Sequence, residues 1–308
     1  MIEVDELAKT YGGGWALRGI TFRVEEGDIF GYIGPNGAGK TTSIRILATL
    51  LDPTSGQARV AGKCVIAEAE AVRRLVGYMP DNFGVYERIT VWEYLDFFAA
   101  AYGLPRRDRR TTLQGILELT DLTDLRDRLT KELSKGMRQR LCLAKTLVHD
   151  PKVLVLDEPA NGLDPRARIE FRALLKVLRG MGKTIFISSH ILAELSDVCT
   201  AVCILEKGKV VASGPVARIR EALQPHLAFR LDVLGDPARA AAVLAETPLV
   251  ADARAEGSSV AFQFRGPREQ VPELVRSLVS KGVDLVGLQE QKTDLEDLFL
   301  RLTKGDVA

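Results

Sequence analysis

Residues 34–41 read GPNGAGKT, an unbroken match to G-x-x-x-x-G-K-[ST], and no other stretch of the 308-residue chain limits its fold so strongly. The run follows the apolar segment Ile29–Ile33 and opens a helical pattern over residues 41–51. In that strand–loop–helix setting the glycines let backbone N–H groups curl around phosphate oxygens, and the helix adds the positive end of its dipole. A glycine-rich turn with an exposed lysine is the plainer alternative, and the flanking strand and helix disfavour it. The motif therefore predicts a nucleotide site on an α/β unit. Gly34, Pro35, Asn36, Gly37, Ala38 and Gly39 form the cradle, and Thr42 completes the nucleotide-binding set. Lys40 is suited to the β- and γ-phosphates, and the Thr41 hydroxyl to Mg²⁺.

Around this loop, short β-rich runs alternate with helical stretches. Strands are predicted at residues 2–7, 17–24, 29–33, 75–79, 153–156, 184–188 and 202–206. Helices are predicted over 90–103, where Thr90 and Glu93 have capping-box spacing, then to about 119, and over 136–149 and 165–181. The run VLVL is apolar enough to be buried on both faces of a parallel sheet, and it ends in Asp157 and Glu158. Ligands bind at that end of strands in doubly wound sheets. Asp157 suits Mg²⁺ held through its water shell, and Glu158, one residue on, suits an attacking water. Two solvated acids closing a strand is the competing reading, weakened by the phosphate loop.

Composition narrows the class. With 42 Lys+Arg against 41 Asp+Glu, the net charge of +1 argues against nucleic acid as a partner held by electrostatics. No run approaches the roughly 18 apolar residues of a membrane span, and the opening MIEVDELAKT does not read as a secretory signal. A soluble, cytoplasmic chain of about two domains is expected. The 4 Cys and 3 His show no zinc spacing, so reduced, mostly buried thiols are expected, with Cys199 and Cys203 on one strand. His149 reads as a surface or capping residue, and Arg106, Arg107, Arg109 and Arg110 as a solvated helix face.

The order of motifs resembles the nucleotide-binding subunit of an ATP-binding cassette (ABC) transporter, of exporter (ABC-2-like) type. The deciding segment is residues 133–141, LSKGMRQRL, ahead of the apolar strand, which looks like that family's LSGGQ signature. The resemblance implies a P-loop NTPase cassette with a helical subdomain, ATP and Mg²⁺ as ligands, and subunits that pair head to tail. Ser134, Lys135, Gly136 and Met137 would then meet the ATP of the partner subunit, a helix N-terminus facing an anion. Asn161, Gly162, Leu163 and Asp164 resemble the loop that crosses the dimer interface. His190, in FISSHIL, is similar to the switch histidine on the γ-phosphate, acting with Glu158 and Lys40 in catalysis. Tyr11 resembles the aromatic that stacks on adenine, with Trp15 as runner-up.

Three positions in two segments depart from the family pattern. Asp81 stands where a glutamine usually contacts Mg²⁺ and water; an aspartate still binds metal through oxygen but donates no hydrogen bond. It is expected to be a metal-linked sensor. In the signature, Lys135 replaces a glycine and Met137 a glutamine; Lys135 either approaches the partner's nucleotide or faces water.

From Pro225 the character of the chain changes. Residues 225–308 carry 10 basic and 13 acidic residues, net −3, leaving +4 for residues 1–224. The later part reads β-α-β-β-α-β, a small α+β ferredoxin-like domain, with a closing helix after Thr293 capped by spacing to Glu296. It resembles the accessory or regulatory domain of exporter-type subunits. The resemblance implies a homodimer or heterodimer that drives a separate transmembrane permease subunit from the cytoplasmic face of the membrane. The alternative is a soluble ABC ATPase in cofactor assembly, translation or DNA maintenance; the single cassette, the absence of a coiled-coil arm and the C-terminal domain disfavour it. The transported substance is not written in the chain.

Overall fold

The structure is a computed structural model. It describes residues 1–291 except 83, 85, 192–194, 196 and 224–226, with backbone alone at 220–223. The expected boundary at 224/225, His226 and the closing helix after Thr293 lie outside the described residues. Two compact units divide the chain, Met1–Val216 and Ala217–Ala308.

In chain order the first unit runs β1 (Ile2–Tyr11), β2 (Gly14–Val24), β3 (Ile29–Ile33), α1 (Lys40–Leu47), β4 (Ser55–Val60), β5 (Lys63–Cys64), α2 (Ala69–Leu75) and β6 (Val76–Met79). It continues with α3 (Val91–Ala101), α4 (Arg106–Leu119), α5 (Lys135–Leu147), β7 (Val153–Leu156), α6 (Pro165–Gly180), β8 (Thr184–Ser189), β9 (Ala201–Glu206) and β10 (Lys209–Pro215). Two sheets result. One has the order β10-β9-β3-β8-β7-β6, parallel except for β10, and the other the antiparallel order β2-β1-β4-β5. Every residue of β3, β7 and β8 is buried, as strands inside a parallel sheet covered on both faces require. Phe22 of the antiparallel sheet packs on Phe30 and Phe186 of the parallel one, with ring centroids 5.7 and 5.9 Å away, inside one core.

The helices α3, α4 and α5 pack together. The capping box at α3 is complete: Thr90 Oγ1 accepts the Glu93 N–H, and Glu93 Oε2 accepts the Thr90 N–H at 2.7 Å. Helix α1 stops four residues short of the predicted 51. Thr49 adopts φ +60°, its N–H donates to Ile46 O, and the Leu50 N–H donates to Arg45 O. That is a Schellman end built on threonine, so the glycine that usually marks such a stop is missing from the sequence.

Two expectations are corrected. Cys199 precedes β9 and only Cys203 lies on it; both are buried and free, and burial pushes both thiols up to about 12. His149 is half-buried rather than a free surface residue. Its ring stacks on Tyr102 at 4.0 Å, and Nε2 lies 3.1 Å from Val76 O.

After α7 (Val216–Leu223), the second unit contains β11 (Leu227–Val233), α8 (Pro237–Ala245), β12 (Val250–Glu256), β13 (Ser259–Phe264), α9 (Val271–Ser280) and β14 (Leu285–Glu290). Its antiparallel sheet has the order β12-β13-β11-β14, the ferredoxin-like arrangement expected from β-α-β-β-α-β. Phe229, Leu231, Phe262, Leu274 and Leu278 form a core of its own. Among the described residues no helix is long and apolar enough to cross a membrane.

Candidate nucleotide site

The parallel order β6-β7-β8-β3 brings four loops together at the carboxyl ends of neighbouring strands. Gly34 follows β3, Asp81 follows β6, Asp157 and Glu158 follow β7, and His190 follows β8. A cavity of ≈ 580 Å³ is lined there by Ala16, Asn36, Gly37, Gly39, Lys40, Thr41, Thr42, Asp81, Glu158, Asn161 and His190.

The loop from Gly34 to Gly39 needs its glycines for local reasons. Gly39 has φ +106°, and a Cβ on Gly34 would stand 2.3 Å from Leu205 O. Lys40, at the start of α1, is 6% exposed. Its ammonium donates to Gly34 O at 2.7 Å and Pro35 O at 3.2 Å. It also pairs with Glu158 Oε1 at 3.2 Å, while His190 Nδ1 lies 2.8 Å from Glu158 Oε2. One carboxylate therefore spans from the phosphate-loop lysine to the histidine of the next strand.

Asp157 is 1% exposed, and burial raises its carboxyl above the ordinary aspartate range, helped by the charges of Glu158 and Asp81. Hydrogen bonds from Ser188 and Thr41 oppose that rise. Asp81 Oδ1 accepts the Asn161 Nδ2 amide at 3.3 Å, linking the loop after β6 to the one after β7. Glu158 itself holds φ +46°, a left-handed conformation that costs a non-glycine residue about 1–3 kcal/mol and collects at functional sites.

Other expected residues fall elsewhere. Tyr11 and Trp15, 51% and 50% exposed, flank the β1–β2 hairpin, and neither lines the cavity. Ser134, Lys135, Gly136 and Met137 line a second cavity of ≈ 520 Å³ with Gly162, Leu163 and Asp164. Ser134 caps α5, its Oγ accepting the Met137 N–H at 3.3 Å, and Asp164 caps α6 by accepting the Ala167 N–H at 2.8 Å. The Lys135 side chain lies over Gly162, where a Cβ would come within 2.0 Å of its Nζ. The crossing loop thus divides: Asn161 belongs to the first cavity and the next three residues to the second.

The sequence reading missed two buried polar side chains. Ser188 Oγ accepts the Glu158 N–H at 2.9 Å, and Gln139 Nε2 donates to Pro159 O at 2.6 Å. Serine two positions before His190 and glutamine after the signature were visible, but no local pattern assigned them partners.

Comparison with known proteins agrees with this geometry. The family model described as "ABC transporter" matches residues 17–161. The Nod factor export ATP-binding protein I of Ralstonia nicotianae is 34% identical over 304 residues, covering 98% of this chain and 94% of that protein. The chain belongs to the ABC transporter family. The daunorubicin resistance ATP-binding protein DrrA3 of Streptomyces coeruleorubidus is 34% identical over 99% of this chain and 96% of its own length. A solved ATP-binding subunit of an ABC transporter superposes with a TM-score of 0.66 at 32% identity, covering 72% of this chain and 92% of that one. The chain is an ATP-binding subunit of an ABC transporter and an ATPase. Such subunits dimerise and work with transmembrane components.

The ABC cassette's donor set also fits Mg²⁺. Thr41, Asp157 and Asp81 offer hard oxygen ligands, the kind this ion prefers. Among the described residues no three His, Cys, Asp or Glu side chains form a metal cage.

Proposed function

We propose that this subunit powers export through a separate transmembrane permease, with two ATP-binding chains closing head to tail on two ATP molecules. The observation that carries the reading is the Glu158 carboxylate, 3.2 Å from Lys40 and 2.8 Å from His190 on the wall of the phosphate-loop cavity. Glu158 polarises the attacking water. Lys40 and His190 stabilise charge on the γ-phosphate, and the Gly34–Gly39 cradle with Thr41 and Thr42 orients it. Thr41 and Asp157, with Asp81, would hold Mg²⁺, which neutralises charge on the phosphate oxygens when bound. Tyr11, exposed at its hairpin, supplies the adenine platform.

The second cavity supports dimerisation. Ser134, Lys135, Gly136 and Met137 line a pocket other than the one around Lys40, so their meeting with a nucleotide calls for a second chain. Residues 161–164, split between both pockets, carry the coupling. Two copies serve equally with one copy and a paralogue. Residues 1–224 are the ATP-binding domain, and residues 225–308 an accessory, regulatory domain. The complex sits on the cytoplasmic face of the membrane through the permease.

Export is supported by the relatives' names, which include Nod factor export, daunorubicin resistance and bacitracin transport proteins. Substitution Glu158→Gln tests the reading. The variant is expected to bind ATP, accumulate as an ATP-dependent dimer on size exclusion, and lose at least about 100-fold in turnover. Wild-type turnover with no dimer would overturn it.

A further inference from the structure

Glu158 needs something to hold it in a left-handed backbone, φ +46°. Its N–H donates to Ser188 Oγ at 2.9 Å, and its C=O accepts the Asn161 N–H at 3.0 Å. The Ser188 hydroxyl donates in turn to Asp157 Oδ1 at 2.8 Å. Ser188 and Asp157 are each 1% exposed, so bulk water does not compete for these bonds.

The polarity of this chain of bonds is fixed by its ends. A carboxylate only accepts, so the Ser188 hydroxyl donates its hydrogen bond to Asp157, and an oxygen lone pair on Ser188 remains for the Glu158 N–H. Strand order makes the contact: Ile187 of β8 pairs with Leu156 of β7, so the following residues, Ser188 and Asp157, stand side by side. The next serine does something else. Ser189 Oγ bonds the backbone of Ile191, within the turn that carries His190. Two consecutive serines thus serve two different loops, and neither lines the nucleotide cavity.

We infer that Ser188 is a positioning residue for ATP hydrolysis. Its one hydroxyl ties the Glu158 peptide to the Asp157 carboxylate, and so aims the Glu158 side chain between Lys40 and His190. The inference rests on the reading of Glu158 as the group that acts on water.

The test uses the full chain with Ser188→Ala and Ser188→Thr, each alone and Ser188→Ala also combined with Glu158→Gln. Steady-state and single-turnover hydrolysis and ATP affinity are measured beside melting temperature. Ser188→Ala is expected to lower kcat by about 10–100-fold with KM held within about twofold. Ser188→Thr, which keeps the hydroxyl, is expected to return kcat to within about threefold of wild type. In the Glu158→Gln background, Ser188→Ala is expected to change the residual single-turnover rate by less than about twofold, because the group it acts through is already gone. Should Ser188→Ala unfold, Ser188→Cys, a weak donor, carries the same comparison. Wild-type kcat in Ser188→Ala, or an equal loss in both backgrounds, overturns the inference while Glu158 keeps its role. Wild-type turnover in Glu158→Gln alone overturns the Glu158 reading and takes this inference with it.

Discussion

Two glycines of the phosphate loop offer a controlled comparison. Gly37 and Gly39 both hold positive φ, +80° and +106°. A Cβ at Gly37 would meet nothing within 4 Å, whereas at Gly39 it would stand 2.5 Å from Ala16 O and 2.7 Å from Leu17 Cδ2. Gly37→Ala therefore carries left-handed strain alone, about 1–2 kcal/mol. Gly39→Ala adds a collision with a backbone carbonyl, which cannot swing aside as a side chain does. Overpacking of that kind costs about 1–3 kcal/mol, for a total of about 2–5 kcal/mol. In a unit of this size each kcal/mol lowers the melting temperature by about 2–4 °C. Gly37→Ala should then lose about 2–8 °C and Gly39→Ala about 4–20 °C. If the Gly39 variant relieves the clash by moving its loop, the loss appears as at least about a tenfold fall in ATP affinity, since the cradle no longer fits phosphate. Calorimetry and titration with a fluorescent ATP analogue measure both quantities on the same samples. Equal melting temperatures and equal affinities for the two variants would refute the argument that the neighbours of the new Cβ set the cost.

The buried acid and the unusual aspartate give two further expectations. Burial raises the Asp157 carboxyl, so the folded protein binds that proton more tightly than the unfolded chain does. The group's contribution to stability is then fully present below its unfolded pKa and lost as pH rises through the folded one. Asp157→Asn is expected to abolish turnover yet raise the melting temperature more at pH 7 than at pH 4; a gain that is larger at pH 4 contradicts the sign. Asp81→Ala removes the acceptor for Asn161 Nδ2 and one oxygen donor of the cavity. The Mg²⁺ concentration for half-maximal turnover should rise about tenfold, with weaker Mn²⁺ binding by electron paramagnetic resonance; an unchanged metal requirement sinks the sensor role.

How much of the fold was legible depended on burial. Ile29–Ile33 and Val153–Leu156 were read to the residue because a strand covered on both faces must be apolar throughout. Ser55–Val60 went unread: SGQARV buries only Ala58 and Val60, too few to show an alternation. Lys209–Pro215 is an antiparallel edge with no fully buried residue, and Ala69–Leu75 buries only Val72. The two strands are held by pairing with their neighbours, which the local run does not encode.

The site divides along the same line. Lys40, Thr41, Asp157 and Glu158 were legible because each belongs to a run whose backbone conformation and chemistry are set by adjacent residues, whereas His190 was legible only through the family resemblance. Ser188 and Gln139 were not, although both were in plain view. Ser188 matters because β8 lies between β3 and β7, which puts its hydroxyl against the acids of another strand. Gln139 matters because α5 delivers its amide to Pro159 O, the carbonyl directly after Glu158. Likewise Asp81 could be judged from sequence only against a family pattern, while its bond to Asn161 appears once β6 and β7 are neighbours. Groups that would touch ATP must present a particular chemistry at a particular spacing, and spacing survives in sequence. Groups that aim them need only reach the right backbone atom from wherever the topology leaves them. Side chains of the signature helix and of the strand before His190 therefore both bond the Glu158–Pro159 backbone, and a variant that leaves every motif intact can still misalign it.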